Sequence, residues 1–542
     1  MTARPGKIAM FEQFRADGID TMFGNPGTVE QGFLDAAEQV PGFRYVLALQ
    51  ETVAIAMADG YARATHRPGL VQLHTGVGLG NGIGMLYQAR RGHSPLVVIA
   101  GESGVRYDAM DAQMASDLVA MARPVTKYAT RVVHPQSVLR VLRRAVKLAM
   151  TPPRGPVFVS LPMDVLDETT TEPAVASTIP SRVAVPPRDE LDAAARALRG
   201  ADRPVILVGD GVSVSGAQAE LTRLAELLDA PVWGVDFSEV NIDATHPLYR
   251  GQLGHMFGSA SQQAVTDADA VLIVGTYVFP EVFPLLDNPF RAGATVVHID
   301  LDDFEVAKNH PVDIPLVADP KPTLAALYDR LAERAQERTT YDPASWLLPE
   351  PDSEAPLMEV FAAELARAGG DLVIFDEALT NSPAMSRYLP GRRPGDWFLT
   401  RGGSLGVGIP GAVGIKLARP DAQVVGFTGD GGSMYTIQAL WTAARHEVAA
   451  KFVICNNHRY ELLDRNIEQY WLESTIPHHA SPSGFDLSYP DIDFVSLAES
   501  LGVSALRVQK PDQVQPAVHR LLTHDGPFLI DLVTQRSDVW TR

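Results

Sequence analysis

Cysteine is almost absent from this sequence of 542 residues, in which Cys455 is the single example. One cysteine can form neither an internal disulfide nor a cysteine-based metal site. A chain of this length buries an apolar core without covalent cross-links. The sequence therefore predicts a protein of a reducing compartment, and we expect it in the cytoplasm.

Long apolar runs and an excess of basic residues are also lacking. No stretch reaches 18 uninterrupted apolar residues, so we expect no membrane-spanning helix, and the first residues lack the apolar core of a signal peptide. The 65 acidic residues outnumber the 46 basic ones, which gives a formal net charge of −19 at pH 7. This charge disfavours nucleic acid and anionic membranes as partners, and it leaves small-molecule substrates open.

The sequence contains instead a repeated alternation of strand-like and helix-like segments. Apolar runs such as Gly69–His74 and Gln423–Phe427 are separated by helix-like stretches, which is typical of parallel sheets covered by helices. The segments 169–188 and 339–356 contain proline and lack periodicity, as linkers do. We therefore predict an α/β protein with three doubly wound parallel-sheet domains, at 1–180, 189–340 and 357–542. Such folds alone indicate no particular function.

The most specific motif is Gly429-Asp430-Gly431-Gly432-Ser433, which is followed by Asn456-Asn457. Each run follows a strand-like segment, so both are predicted at the carboxyl ends of parallel strands, where open sheets bind ligands. Glycine amides at a helix N-terminus suit phosphate oxygens. Asp430 and Asn457 offer the hard oxygen ligands that magnesium prefers, with the backbone carbonyl of Arg459 as a candidate third ligand. Each fragment alone is equally well explained as a turn.

Together, residues 429–457 resemble the thiamine-diphosphate-binding motif, in which Gly-Asp-Gly is followed by Asn-Asn at a similar spacing. We predict a helix over Ser433–Ala449 between the two strands. The resemblance implies an enzyme that binds thiamine diphosphate and Mg²⁺, with the metal held by Asp430, Asn457 and the carbonyl of Arg459. It assigns cofactor contacts to Gly429, Gly431, Gly432 and Ser433.

A second part of this resemblance concerns Glu51, because the family activates the cofactor's aminopyrimidine ring with a glutamate. Glu51 ends the apolar strand Tyr45–Leu49 and begins a helix-like stretch, in which Ala58–Arg63 matches the family pattern Ala-Asp-Gly-Tyr-Ala-Arg. The helix dipole alone also favours a glutamate in a first turn. The resemblance implies that Glu51 is catalytic. It also implies that the two domains meeting at one cofactor belong to different subunits, and hence a homodimer or homotetramer with active sites at the subunit interface.

The glycine-rich run 400–410 matches the family segment that shapes the cofactor. Gly403 corresponds to the residue whose backbone carbonyl accepts a hydrogen bond from the exocyclic amine of the cofactor. Leu405 corresponds to the apolar side chain that packs between the two rings of the cofactor. A glycine-rich helix start with a core leucine is the alternative. Tyr460 matches another cofactor-facing position. Thr380 lies in the strand-end run Glu377–Asn381, which we expect to contact the diphosphate, although Leu379 departs from the family's hydroxyl residues.

The resemblance spans nearly the whole chain and is closest to the benzoylformate decarboxylases. Gly18–Thr28 is similar to their N-terminal motif, which assigns Asn25 to the cofactor and Thr28, in place of the usual serine, to the substrate carboxylate. Gln72–Thr75 matches their active-site histidine segment. The resemblance therefore gives His74 a proton-transfer role, for which imidazole is suited. A strand-end histidine bonded to the backbone is the alternative.

Two features depart from this subfamily. Val282 occupies the position of a second active-site histidine, so the usual proton donor is missing; His255, His478 and His479 are candidate substitutes. Gln113 matches a glutamine that holds substrates in carboligating relatives, and we assign it to the catalytic site. An exposed loop glutamine without a role is equally compatible with this sequence.

We predict that the protein decarboxylates a 2-keto acid without oxidation, giving an aldehyde and carbon dioxide. The alternative is a carboligase or acyloin lyase, similar to acetolactate synthase or benzaldehyde lyase, which takes a 2-keto acid or an aldehyde. A third hypothesis is a nicotinamide or flavin oxidoreductase, because Gly209–Ser213 follows a strand. However, Val214 stands where the dinucleotide fingerprint requires glycine. A non-catalytic regulatory protein is the weakest hypothesis, since Glu51 and the proposed metal ligands are all present.

Overall fold

The computed structural model describes residues 3–181, 183–235, 237–253, 256–333, 341 and 346–534. Three six-stranded parallel sheets follow one another along the chain, which confirms the predicted α/β class with three parallel-sheet domains. The chain forms two compact units: Met1–Pro180 with Asp352–Ser382 and Thr400–Arg542, and Ser181–Pro351 with Pro383–Leu399. The boundaries of the three domains at 180, 189, 340 and 357 stay predictions.

The first sheet carries one half of the candidate site. Its segment contains the strands β1 (Arg4–Pro5), β2 (Thr21–Gly24), β3 (Arg44–Leu47), β4 (Gly69–His74), β5 (Leu96–Glu102), β6 (Tyr128–Arg131), β7 (Val157–Pro162) and β8 (Thr169–Thr170). Its helices are α1 (Gly6–Ala16), α2 (Gln31–Glu38), α3 (Glu51–Thr65), α4 (Thr75–Arg91), α5 (Leu118–Ala122), α6 (Val138–Met150) and α7 (Met163–Asp167). The sheet order is β3-β2-β4-β5-β7-β6. The predicted linker from residue 169 opens with β8, which pairs antiparallel with β1.

The second sheet has the order β11-β10-β9-β12-β13-β14. Its strands are β9 (Pro204–Val208), β10 (Val232–Gly234), β11 (Tyr249–Gln252), β12 (Ala270–Val274), β13 (Thr295–Asp300) and β14 (Ile314–Val317). Its helices are α8 (Arg188–Arg199), α9 (Gly211–Ser215), α10 (Gln218–Leu228), α11 (Gly258–Val265) and α12 (Pro320–Ala332).

The turns after β9 and β12 pack closely against each other. A Cβ on Gly211 would collide with the Cα atom of Gly275, and a Cβ on Gly209 would collide with Thr276. The run Gly209–Ser213 thus packs against the turn after β12.

The third sheet has the order β16-β15-β17-β18-β20-β19. Its strands are β15 (Leu372–Glu377), β16 (Trp397–Leu399), β17 (Gln423–Gly429), β18 (Lys451–Asn456), β19 (Ser504–Val508) and β20 (Phe528–Val533). Its helices are α13 (Leu357–Ala368), α14 (Ser382–Tyr388), α15 (Gly408–Ala418), α16 (Asp430–Ser433), α17 (Ala439–Arg445), α18 (Glu461–Glu473), α19 (Phe494–Ser500) and α20 (Val514–Thr523). None of the helices in the described ranges is long and apolar enough to cross a membrane.

Helix α3 is the central packing element of the first compact unit. It is buried on almost every side, as an apolar helix between two layers must be. Its partner is α15, and glycine allows the two backbones to touch: a Cβ on Gly60 would collide with the carbonyl of Gly411, and one on Gly414 with the carbonyl of Met57. The predicted helix from Glu51 to Thr65 is thus confirmed, and its position fixes Glu51 at its first residue.

The predicted single helix over Ser433–Ala449 is wrong. The chain forms α16 and α17 with turns over residues 434–438 between them. In these turns the amides of Tyr435 and Thr436 bond three residues back, to Gly432 and Ser433, and the Thr436 hydroxyl donates to the carbonyl of Gly406 at 2.6 Å. The tighter turns direct Thr436 toward the Gly406 loop, a long-range contact that helical spacing could not reveal.

Candidate active site

Glu51, Thr28 and His74 lie at the carboxyl ends of three adjacent strands of the first sheet. Thr28 begins a single 3-10 turn after β2, Glu51 begins α3 after β3, and His74 is the last residue of β4. Carboxyl ends of parallel strands are where α/β sheets place reactive groups. The sheet order therefore gathers three of the four predicted catalytic residues at one edge.

Glu51 and His74 share the space left by Gly78. A Cβ on Gly78 would lie 2.9 Å from Oε1 of Glu51 and 3.3 Å from Cβ of His74. Glu51 is only 7% exposed, and its Oε2 accepts a hydrogen bond from Nδ2 of Asn81 at 3.0 Å. A buried carboxylate in this position can accept a hydrogen bond from a ligand ring or donate one to it.

His74 is held by a carboxylate that the sequence analysis missed. Its Nδ1 lies 2.7 Å from Oε2 of Glu30, which is fully buried and whose Oε1 accepts from the amide of Gly101 at 3.0 Å. Burial raises the pKa of Glu30, although His74 acts in the opposite direction. Gly27 lies so close to the imidazole that a Cβ would collide with the ring. Glu30 sits in a short turn without periodicity, so no sequence pattern marked it.

Asn25 is fixed through its backbone. Nε2 of the buried Gln72 donates to the carbonyl of Asn25 at 2.9 Å, and the Tyr45 hydroxyl donates to Oε1 of Gln72 at 2.6 Å. Burial, with the carboxylates of Glu30 and Glu51, raises the pKa of Tyr45 far above its usual value. The phenol thus stays a neutral donor that holds the loop leading to Thr28.

Thr28 and Gln113 are both exposed. Gln113 lies between Asp111 (φ 44°) and Met114 (φ 69°), two non-glycine residues in the left-handed region. A left-handed backbone conformation costs free energy in residues other than glycine, so the backbone of this segment is strained at two positions. The structure thus places Gln113 on an exposed loop, and its predicted catalytic role stays a prediction.

The proposed metal ligands meet at the backbone amide of Arg459. This N–H lies 3.2 Å from Oδ2 of Asp430 and 3.0 Å from Oδ1 of Asn457. Asp430 is 4% exposed, and burial raises its pKa. The two side-chain oxygens therefore converge, as the sequence predicted, at the ends of β17 and β18.

Glu461 orients Asn457 and was missed by the sequence analysis. Its Oε2 accepts from Nδ2 of Asn457 at 2.7 Å and from the Thr380 hydroxyl at 3.0 Å, and it is 6% exposed. Because the amide nitrogen of Asn457 is engaged by Glu461, its oxygen faces Asp430. Thr380 thus joins the site through its hydroxyl, as a partner of Glu461.

The glycine turn packs directly against other predicted cofactor residues. A Cβ on Gly431 would collide with the ring of Tyr460, whereas Gly429 has open space around the position of a Cβ. A Cβ on Gly432 would lie 3.9 Å from that of Leu405. The Ser433 hydroxyl donates to the carbonyl of Asp430 at 2.7 Å, so it stabilises the turn.

The loop that carries Gly403 and Leu405 is anchored by Glu377. This carboxylate is 1% exposed; its Oε1 accepts from the amide of Gly406 at 2.7 Å and from that of Val407 at 3.0 Å. Its Oε2 accepts from the amide of Gly408 at 2.8 Å and from the Thr428 hydroxyl at 2.9 Å. The sequence placed Glu377 in a diphosphate-contacting run, but its two oxygens are engaged at the start of α15. Gly403 itself has a φ of 78° and open space at the Cβ position.

The position of the missing second histidine is apolar and accessible. Val282 is 55% exposed. His478 and His479 contact the ring of Trp471, with centroids 5.4 and 4.2 Å apart. His255 lies outside the described residues. The substitute proton donor suggested by the sequence stays a prediction.

Three family descriptions match successive parts of the chain. The N-terminal thiamine pyrophosphate (TPP) binding domain matches residues 5–121, the central domain of thiamine pyrophosphate enzymes matches 191–327, and the C-terminal TPP binding domain matches 380–532. The chain belongs to the thiamine pyrophosphate enzymes, as its resemblance implied.

Individual relatives cover almost the full length. The chain is 33% identical over 534 residues to a benzoylformate decarboxylase of Pseudomonas aeruginosa, which covers 97% of this chain and 98% of the relative. It is 29% identical to a probable acetolactate synthase large subunit of Methanocaldococcus jannaschii, over 97% and 91% of the two chains. A solved thiamine diphosphate-dependent 4-hydroxybenzoylformate decarboxylase of Rhodococcus jostii RHA1 superposes with a TM-score of 0.90 at 30% identity, over 99% of this chain and 100% of that one. Both predicted reactions are thus found among the relatives.

Proposed function

We propose that this enzyme decarboxylates a 2-keto acid to an aldehyde and carbon dioxide, with thiamine diphosphate and Mg²⁺ as cofactors. The observation that carries the proposal is the joint position of Glu51 and His74 against Gly78, with His74 clamped by the buried Glu30. Two groups able to transfer protons thus lie at strand ends of one sheet, as a reaction that moves protons requires.

The residues present fit the cofactor and its metal. Carboxylate, carboxamide and main-chain oxygens form the hard donor set that Mg²⁺ prefers, and Asp430 and Asn457 already converge on one amide. The open surface at Gly429 lies at the N-terminus of α16, a position that suits phosphate oxygens. When bound, thiamine diphosphate supplies an electron sink for the cleaved bond.

The side chains of the protein would have separate roles in binding and proton transfer. Glu51 would hydrogen-bond the aminopyrimidine ring, and Thr28 would hold the substrate carboxylate. His74, whose Nδ1 faces Glu30, would use its Nε2 for proton transfer. Asn25, Gly403, Leu405 and Tyr460 would line the cofactor, and Gln113 would help to hold the substrate.

A screen for carbon dioxide release tests this proposal. The protein, with added thiamine diphosphate and Mg²⁺, is assayed on aromatic and aliphatic 2-keto acids. We expect at least one acid to be turned over, and Glu51→Gln to lower kcat by at least ~100-fold. Glu38→Gln, at an exposed position on α2, is the matched control and should be unaffected. Absence of turnover on every acid, or full activity of Glu51→Gln, would refute the assignment.

Carboligation is the second candidate, and Val282 favours it. An exposed valine at the position of a proton donor would leave carbon–carbon bond formation as a competing outcome. Product analysis with an added acceptor aldehyde separates the two reactions. Aldehyde as the main product supports decarboxylation, whereas an acyloin that accumulates at the expense of aldehyde supports the carboligase.

A further inference from the structure

The second compact unit contains a cavity that is separate in sequence from every residue assigned above. Its volume is about 350 Å³, within the range of pockets for small ligands. It lies between residues 237–252, which include β11, and the segment 386–397 that ends in β16. Its walls are mainly aromatic: the ring of Phe237 lies 6.5 Å from that of Tyr249 and 6.2 Å from that of Trp397.

One buried donor in this wall has no partner. Trp397 is 7% exposed, and its indole Nε1 is a buried nitrogen without a hydrogen bond. Native structures rarely leave a buried donor unsatisfied unless a ligand or water completes it. Burial also raises the pKa of Tyr249, so its phenol is a neutral group at every physiological pH.

One cationic side chain lines this cavity. It belongs to Arg387, and none of the described residues that line the cavity is acidic. A guanidinium and an indole N–H are both donors, and guanidinium pairs well with carboxylate. The aromatic wall requires an apolar body on the same ligand.

We propose that this cavity binds a small carboxylate with an apolar or aromatic body. The carboxylate accepts from Nε1 of Trp397 and from Arg387, while the body packs against Phe237 and Tyr249. The site is distinct from the catalytic residues, and the inference does not rest on the reaction proposed above.

Calorimetric titration of the full-length protein with benzoate tests this inference. Trp397→Phe removes the N–H and keeps an aromatic ring, and Arg387→Gln removes the charge from an exposed position that tolerates change. Each should weaken benzoate at least ~10-fold, because each loses a hydrogen bond to a charged acceptor. Benzamide, which lacks the charge, should bind the unaltered protein at least ~10-fold more weakly than benzoate.

Two further variants make the outcome decisive. Arg393→Gln alters a neighbouring arginine whose guanidinium lies 3.7 Å from Asp396, and it should leave benzoate binding unchanged. His74→Ala, in the candidate active site, should also retain this binding. Loss of binding in His74→Ala with normal binding in Trp397→Phe and Arg387→Gln would overturn the inference, as would absence of benzoate binding to the unaltered protein. Circular dichroism of each variant separates loss of binding from loss of fold.

Discussion

His74 depends on a carboxylate that follows the neighbouring strand β2 and lies outside the motif that identified the histidine. Oε2 of Glu30 lies 2.7 Å from its Nδ1, so replacement of Glu30 by glutamine removes the charged acceptor that orients the imidazole. We expect kcat/KM to fall by ~10- to 100-fold. Glu38→Gln should leave kcat/KM unchanged. A Glu30→Gln enzyme with the kcat/KM of the parent would show that the contact is only structural.

Asp376 gives a second test, of stability rather than activity. It is fully buried and its Oδ2 has no partner, and burial raises its pKa to about 6. The folded state keeps this proton at pH values where the unfolded state has already released it. The contribution of Asp376 to the free energy of unfolding is therefore fully present below about pH 4 and is lost as the pH rises to about 6. Asp376→Asn lacks this titration. We therefore expect the Tm difference, variant minus parent, to rise between pH 4 and pH 7; a constant difference would contradict the assignment.

The residues predicted from sequence were those that belong to motifs. Asp430, Asn457 and Glu51 each stand beside glycine, asparagine or helix-start patterns with a chemical meaning, and the structure gathers the first two as expected. Glu30 and Glu461 have no such pattern. Their importance comes from long-range hydrogen bonds that form only after the chain has folded. Glu30 contacts His74, 44 positions away, and Glu461 accepts from Thr380, 81 positions away.

At the scale of elements, the glycine-rich loop before α15 depends on one side chain. Glu377→Ala would leave three amides, those of Gly406, Val407 and Gly408, without the acceptor they now share. Each unsatisfied buried donor costs about 1–3 kcal/mol. We expect a lower Tm and at least ~10-fold weaker binding of thiamine diphosphate, measured by quenching of tryptophan fluorescence.

The exposed Glu354→Ala is the matched control for this loop, because it removes a carboxylate of the same unit without a buried role. A Glu377→Ala protein that binds the cofactor normally would show that the loop keeps its course without the anchor. A lower Tm with normal cofactor affinity would assign Glu377 to stability alone.

Strands were easier to predict than helix ends. The run predicted at Gly69–His74 has the bounds of β4, and the run at Gln423–Phe427 lies within β17, which extends to Gly429. Strands buried on both faces are continuous apolar segments, so their positions are marked in the sequence. The helix predicted over Ser433–Ala449 failed where Thr436 bonds the distant Gly406. Hydrophobic periodicity predicts a helix correctly only where no long-range contact, such as this hydrogen bond, changes the course of the backbone.

At the scale of the whole molecule, both halves of the candidate site are bordered by exposed apolar side chains. Leu49 and Val77, beside Glu51 and Gly78, are 44% and 57% exposed, and Met434 and Tyr435, after the glycine turn, are 40% and 52% exposed. Exposed apolar side chains beside a site are suited to contact with another chain. This supports the proposal that each active site combines the pyrimidine half of one subunit with the diphosphate half of another.

Mixing two inactive variants tests this arrangement. Glu51→Gln damages one half-site and Asp430→Asn the other, so a mixed dimer has one intact site and one with both lesions. Random association gives mixed dimers in half of the population, and we expect recovery of about a quarter of the parent activity after co-expression. Glu51→Gln mixed with His74→Ala must not recover, because both lesions lie in the pyrimidine half and every site keeps one. If the mixture of Glu51→Gln and Asp430→Asn recovers no activity, each chain builds its own active site. Only a site shared between subunits can combine the intact pyrimidine half of one variant with the intact diphosphate half of the other.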